Sequence, residues 1–168
     1  MNRRGFTLVE VIVVIVIIGI LSTLATIAFS NWQRKANIEK EVKELYADLM
    51  TIRQQALVTG MRHRIIFVSG GNSFTIRRYS SDEDAVGTQI QQKSLTYPLA
   101  KSDWASPLSN VIDFNSRGIM DDPAQKSICI FSDAAPVPDS IVILQSRISL
   151  GRIINQGGGC AISNITLQ

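Results

Sequence analysis

The sequence predicts an α+β protein in which one long N-terminal helix packs on a C-terminal globular domain of antiparallel β-sheets. Three observations support this fold class: an apolar run near the start of the 168-residue chain, an amphipathic stripe behind it, and short β-forming segments separated by turn residues after Gly60. A helix followed by a series of strands is the element order of α+β domains.

The first element is the apolar stretch from Val11 to Phe29, which contains no charge and no proline. As a helix it is about 28 Å long, close to the ~30 Å hydrocarbon core of a bilayer, so residues 6–30 are predicted to form a transmembrane helix. A buried core helix is rarely this long and apolar. A cleaved secretory signal would have a shorter apolar region, and Thr26-Ile27-Ala28 is a poor cleavage site. A plain uncleaved anchor, which would make the chain a single-pass membrane-anchored binding protein, is an alternative.

Glu10 is unusual because it places a carboxylate at the entrance of this apolar run. An acid costs about 2.5–3.5 kcal/mol at the centre of a membrane helix and less near its end. The free N–H groups of the helix N-terminus favour an anion there. A cut after Gly5 would give Phe6 a new α-ammonium, and the Phe6 of one subunit could then pair with the Glu10 of another.

The segment Arg4-Gly5-Phe6-Thr7-Leu8-Val9-Glu10, followed by an apolar helix, resembles the class III signal of type IV pilins and type II secretion pseudopilins. The resemblance implies that prepilin peptidase removes the leader, residues 1–5, by cutting between Gly5 and Phe6. It also implies N-methylation of Phe6 and a role for Glu10 in filament assembly. Many major pilins carry a proline within this helix, whereas this chain has isoleucine at position 27 and no proline in the segment.

The same resemblance implies a location and a set of partners. The chain would cross the bacterial inner membrane once, with its globular domain in the periplasm, and would then enter a pilus or pseudopilus. Its partners would be other pilins or pseudopilins, prepilin peptidase, the inner-membrane assembly platform and inner-membrane lipid.

The second element, residues 31–60, is predicted to continue the same helix in amphipathic form. Apolar residues recur there at three- and four-residue steps, and Gly60 is a typical stop signal. A helix from Phe6 to Thr59 would be roughly 80 Å long. The charge pairs Glu39–Lys43 and Lys40–Glu44 have i,i+4 spacing. The apolar stripe consists of Ile38, Val42, Leu45, Leu49, Ile52 and Ala56.

The remaining residues, 61–168, are predicted to form a β-rich domain. The first two strands, 62–68 and 73–79, flank the turn sequence Ser69-Gly70-Gly71-Asn72 and are predicted to form a hairpin. Turn residues also occur at 82–84, 121–123 and 136–139. Further strands are predicted at 89–95, 111–115, 127–131, 140–145 and 162–167.

Four segments of this domain resemble the GspH/FimT branch of minor pseudopilins and minor pilins: Phe114 to Gly118, the ICIF strand, Ser140 to Ile143, and Ser149 to Ile153. That resemblance implies a position at or near the filament tip and a role in starting assembly. Some relatives bind DNA through a Gly-Arg-x-Arg motif, but the corresponding stretch here, Gly151-Arg152-Ile153-Ile154, lacks the second arginine.

DNA binding is nevertheless an alternative, because arginines gather at the base of the predicted hairpin and could contact phosphates. The favoured interpretation is that these charges protect edge strands from aggregation. The formal net charge is only +3, which does not by itself argue for nucleic acid. The candidate DNA-binding residues are Arg62, Arg64, Arg77, Arg78 and Arg152, with Arg117 and Arg147 as further neighbours.

Cys129 and Cys160 are the only cysteines, and they form either a disulfide or two buried thiols. A bridge would be plausible in an oxidising compartment and would close a loop worth about 3–4 kcal/mol. A single histidine, His63, and the cysteine spacing fit no metal motif. The chain also lacks a nucleophile elbow or a phosphate-binding loop, so we expect neither an enzyme nor a cofactor.

Overall fold

The computed structural model describes residues 7–68, 72–81, 84–101 and 110–168, with the side chains of residues 24–27 and 101 left out. Its first element, α1, runs without interruption from Leu8 to Thr59. Thr7 caps its start with its side-chain oxygen, and Gly60 ends it with a left-handed backbone at φ 63°. The predicted stop at Gly60 is confirmed, whereas the predicted start at Phe6 lies outside the described residues.

The described part of α1 has two halves with different surroundings. The large apolar side chains from Leu8 to Leu21, and that of Phe29, are exposed, and α1 is the one helix among the described residues that is long and apolar enough to cross a membrane. From Ile38 onwards the predicted stripe is buried, with every member at most 3% exposed. The helix therefore projects its first half away from the domain and packs its second half against it.

The described residues after α1 form antiparallel strands in two sheets, as predicted. The first sheet has the order β3-β2-β1-β5 and the second has the order β4-β6-β7-β8-β9. The predicted turn at residues 69–71 lies outside the described residues. The strands are β1 (Arg62–Phe67), β2 (Ser73–Tyr79), β3 (Thr88–Ser94), β4 (Ala100–Lys101), β5 (Val111–Phe114), β6 (Lys126–Cys129), β7 (Ser140–Ile143), β8 (Ile148–Ile153) and β9 (Ile165–Leu167).

The last two strands of the second sheet, β8 and β9, differ from the prediction. Strand β8 was not predicted, because Gly151 in its centre weakens the strand pattern. Glycine is required there by close packing: a Cβ would lie 2.4 Å from Ile165 Cγ2 and 2.9 Å from Ser140 Oγ. The predicted strand 162–167 is wrong in its first half, where Ile162–Asn164 forms a 3₁₀ turn before β9.

One hydrophobic core joins the buried stripe of α1 to the inner faces of both sheets. Strands β1 and β2 alternate buried and partly exposed residues, as expected for strands with one covered face. A second, smaller cluster covers the other side of the second sheet. It consists of Cys129, Val142, Ile153, Cys160 and Ile165.

Candidate functional site

Glu10 lies in the first turn of α1, where Thr7 organises the backbone. The Glu10 backbone N–H is 3.3 Å from Thr7 Oγ1 and 3.1 Å from the Thr7 carbonyl oxygen. Thr7 is therefore the N-cap residue, and the Glu10 N–H is the donor that it satisfies. The Glu10 side chain is exposed and has no ion-pair partner within the part of the chain that the structure describes. An uncompensated carboxylate at the apolar end of a helix can accept a cation supplied from outside. Gly5 and Phe6, the predicted cleavage and methylation residues, lie outside the described residues.

The helix surface beyond Glu10 offers a large apolar area that the domain does not cover. Two hydroxyl groups on this surface are satisfied locally: Ser22 Oγ donates to the Ile18 carbonyl at 2.7 Å and Thr23 Oγ1 to the Ile20 carbonyl at 2.7 Å. Polar groups in a lipid-exposed helix must be satisfied within the protein, and these are. This surface is consistent with membrane anchoring and with packing against other apolar helices.

The second half of α1 holds two loops of the domain through carboxylates. Glu41, which is only 9% exposed, accepts hydrogen bonds from the backbone N–H groups of Thr96 and Tyr97, each at 2.9 Å. Glu39 Oε1 accepts from the Val137 N–H at 2.9 Å. Glu39 therefore bonds to the domain rather than to Lys43, its predicted partner on the helix. The other predicted helix pair, Lys40–Glu44, is present at 3.8 Å.

Sequence reasoning missed the role of Glu41, although the chain carries a signal. Glu41 stands beside the core positions Ile38, Val42 and Leu45, where a solvated acid would be out of place. A buried carboxylate needs hydrogen-bond donors, and the loop after β3 supplies them.

Three of the predicted DNA-binding arginines share the outer face of the first sheet, where each is bonded to the protein. Arg64 Nε donates to Asp113 Oδ2 at 2.9 Å, and the two side chains form an ion pair. The Arg62 and Arg64 guanidinium groups lie 4.4 Å and 5.0 Å from the centre of the Tyr79 ring. Arg77 Nη1 donates to the Val86 carbonyl oxygen at 2.7 Å.

The remaining two predicted DNA-binding arginines lie elsewhere. Arg78 pairs with His63 in the β1–β2 register, on the opposite side of the sheet from Arg64 and Arg77. Arg152 belongs to β8 in the other sheet. The structure therefore does not gather the five arginines into one basic surface. Arg117 lines a cleft of about 400 Å³ beside Arg62.

Two carboxyl groups of this region have shifted pKa values. Burial raises the pKa of Asp113, an effect that the hydrogen bond and charge of Arg64 oppose but do not overcome. The pKa of Asp84 is lowered, chiefly by the N–H of Gly87 and then by that of Ser80. The same hydrogen bonds from the Ser80 and Gly87 N–H groups let Asp84 organise the turn that places Gly87 against the Tyr79 ring. Asp82 and Glu83 of the predicted acidic turn lie outside the described residues.

Cys129 and Cys160 form a disulfide, with their Cα atoms 5.8 Å apart. The bridge ties β6 to the segment that precedes the 3₁₀ turn and lies in the smaller hydrophobic cluster. Of the two alternatives that the sequence left open, the structure therefore contains the bridge rather than two thiols.

Comparisons with known proteins identify a motif and a fold. Residues 1–26 match the family model described as the prokaryotic N-terminal methylation motif. The structure is similar to that of the type IV minor pilin FimU of Pseudomonas aeruginosa, with 14% identity, 77% of this chain and 99% of that chain covered, and a TM-score of 0.55. It is also similar to the minor pseudopilin EpsH of the Vibrio cholerae type II secretion system, with 12% identity, coverage of 69% and 96%, and a TM-score of 0.52. No curated protein sequence gives a significant match.

Proposed function

We propose that this chain, which carries an N-terminal methylation motif on a minor-pilin fold, is a structural subunit that helps to initiate or cap a type IV pilus or a type II secretion pseudopilus. The observation that carries the proposal is the position of Glu10, an exposed carboxylate in the first turn of a helix whose N-terminal apolar half is left uncovered by the domain. The proposal includes both machines, since FimU and EpsH match with similar TM-scores.

Assembly begins when prepilin peptidase cuts between Gly5 and Phe6 and methylates the new Phe6 amine. The ammonium group of one subunit then pairs with Glu10 of its neighbour. At about 4 Å and an effective dielectric constant near 20, the two charges attract by about 4 kcal/mol before desolvation is subtracted. The pair sets the relative height of two subunits, and the apolar helix surfaces pack around it.

The domain contributes a rigid head. The carboxylates Glu39 and Glu41 join two of its loops to α1, and the core joins both sheets to the same helix. A force applied at the membrane end of the helix is therefore transmitted to the head. This arrangement supports a mechanical, non-catalytic role.

The test uses the full-length chain in cells that assemble the filament. Glu10→Gln removes the charge while keeping the side-chain shape, and Glu44→Gln is the matched control because Glu44 is an exposed acid on the same helix outside the apolar half. We expect Glu10→Gln to reach the membrane and be processed but to be depleted from sheared filaments, whereas Glu44→Gln enters normally. Normal incorporation of Glu10→Gln would contradict the proposal.

A second measurement tests the processing step separately. The mature protein should begin at a methylated Phe6, which intact mass spectrometry detects, and Gly5→Glu should retain the leader. A mature chain that still begins at Met1 would overturn the proposal independently of the Glu10 result.

We do not propose a DNA-uptake role. It would need free arginines on one surface, and three of the five candidates are bonded within the protein while the other two lie on different surfaces.

A further inference from the structure

Two exposed aromatic residues, Phe29 and Trp32, mark the end of the apolar half of α1. They are 61% and 65% exposed, and their ring centres are 6.1 Å apart. They stand one helical turn apart, so both project from the same side of the helix. At 3.6 residues per turn, Phe29 lies half a revolution from Ile38, the first residue of the buried stripe. The aromatic pair therefore faces away from the protein's own core.

The charges next to the pair are exclusively positive. Arg34 and Lys35 follow Trp32 after a single intervening residue, Gln33, and the sequence contains no acid between Glu10 and Glu39. Glu39 itself accepts a hydrogen bond from the domain, at the Val137 N–H. An apolar segment, then two aromatic rings, then two cations is the order in which a bilayer presents hydrocarbon, interface and anionic headgroups.

We propose that Phe29, Trp32, Arg34 and Lys35 form an interfacial anchor that binds the anionic phospholipid headgroup layer on the domain side of the membrane. The proposal rests on the membrane-anchored state in the proposed function. Tryptophan prefers this depth because its ring is apolar while its N–H can meet a polar partner. The cations add attraction to anionic lipid within about one Debye length of the surface.

The anchor has a consequence for Glu10. Trp32 lies 22 residues beyond Glu10, which corresponds to about 33 Å along the helix. With Trp32 held among headgroups on one side, Glu10 reaches the opposite boundary of a hydrocarbon core about 30 Å thick. The anchor thus fixes the height at which Glu10 meets a neighbouring subunit and keeps the carboxylate out of the bilayer centre.

The test uses the full chain with Trp104→Phe, which leaves Trp32 as its only tryptophan. The protein is reconstituted at a high lipid-to-protein ratio into phosphatidylcholine vesicles with or without phosphatidylglycerol. Lipids brominated at different acyl positions report the depth of Trp32, and aqueous iodide reports its exposure to water. We expect the strongest quenching from bromines nearest the headgroups, weak quenching from deep bromines and weak quenching from iodide.

The charge component has a matched control. Phosphatidylglycerol should increase the shallow bromine quenching, and the double variant Arg34→Gln/Lys35→Gln should lose this increment. Lys40→Gln/Lys43→Gln removes the same charge about 10 Å farther along the helix, near the limit of electrostatic screening, and should keep the increment. Equal loss in both variants would overturn the assignment of the lipid-binding cations.

Three further outcomes would overturn the anchor. The first is that deep bromines quench Trp32 most strongly, and the second is strong iodide quenching without quenching by lipid. The third is shallow quenching that appears only at low lipid-to-protein ratios, because it would indicate contact with a second copy of the chain. Vesicle flotation after an alkaline wash separates this inference from the proposed function. A chain that does not float fails both, whereas a floating chain with Trp32 at another depth fails the anchor alone.

Discussion

Arg64 and Asp113 lie opposite each other on the adjacent antiparallel strands β1 and β5, and both Nε and Nη2 of Arg64 donate to the same carboxylate oxygen. The Asp113 side chain is 8% exposed and that of Arg64 is 23% exposed, so the pair is largely shielded from water. Burial outweighs the attraction of Arg64 and raises the pKa of Asp113. The charged form of this carboxyl therefore depends on its partner.

The first prediction follows from this dependence. Arg64→Met should lower the free energy of unfolding by about 3 kcal/mol at neutral pH, because it leaves an unpaired buried carboxylate. The variant raises the Asp113 pKa further above its unfolded value. The folded variant therefore favours the protonated form of Asp113. The contribution of Asp113 to the free energy of unfolding is fully present below its unfolded-state pKa and is lost as the pH rises through its folded-state pKa. Urea unfolding at several pH values should show the difference from the unmodified protein growing between pH ~4 and neutrality.

A control for the Arg64 experiment is Lys93→Met. Lys93 pairs with Asp48 at 2.6 Å but is 39% exposed, so its loss should cost less than about 1 kcal/mol with little pH dependence. A penalty for Arg64→Met that stays constant with pH would contradict the buried-carboxylate explanation.

The second prediction concerns Glu41. Glu41→Ala should destabilise the protein by about 2 kcal/mol, because the N–H groups of Thr96 and Tyr97 lose their acceptor. Glu41→Gln keeps one acceptor and should cost roughly half as much. Amide hydrogen exchange should accelerate specifically at Thr96 and Tyr97. Unchanged exchange at these two amides in Glu41→Ala would show that the carboxylate does not hold the loop.

The third prediction concerns the disulfide. Cys129→Ala/Cys160→Ala should reduce the free energy of unfolding by about 3–4 kcal/mol, as expected when a loop of this length is opened in the unfolded chain. The unfolded, unreduced protein should react with no thiol reagent. A reaction of two thiols per chain under those conditions would be incompatible with the bridge.

The fourth prediction compares two glycines with left-handed backbones. Gly118 has φ 66°, and a Cβ there would lie 2.6 Å from Leu57 Cγ, whereas Gly60 has φ 63° and open space around it. Gly60→Ala should cost about 1 kcal/mol of backbone strain alone. Gly118→Ala should cost more because it adds a steric clash. Combining Gly118→Ala with Leu57→Ala should remove the clash component, and thermal unfolding of the three variants measures it.

The fifth prediction concerns DNA. Because Arg64 and Arg77 are bonded within the protein, we expect no measurable binding of duplex DNA at low salt, where phosphate contacts are strongest. Fluorescence anisotropy with the intact protein in detergent is a suitable measurement. Binding that weakens steeply with salt, and that Arg78→Gln or Arg152→Gln diminishes, would reverse this conclusion.

The sequence predicted the features that depend on local periodicity. The apolar run, the stripe from Ile38 to Ala56 and the stop at Gly60 each follow from residues close together in the chain, and the structure contains them. Strand β8 escaped prediction because Gly151 is selected by the distant side chain of Ile165. A local pattern carries no information about a neighbour of that kind.

Contacts between distant residues limited the prediction of the candidate site. Glu41 and Thr96 are 55 residues apart, and Arg64 and Asp113 are 49 residues apart. Their pairing depends on sheet order and on where the helix lies across the sheets. The grouping of arginines on a predicted hairpin was therefore insufficient to show that Asp113 of β5 would pair with Arg64.

The continuity of α1 gives the molecule a long lever. Between Leu8 and Thr59 the helix measures about 78 Å, and the segment has no proline at which it would hinge. If its membrane end tilts by about 5°, the far end sweeps sideways by about 7 Å, which is more than the spacing between two strands. Small angular errors at the base are thus magnified at the head, and accurate stacking of heads depends on how firmly the base is gripped.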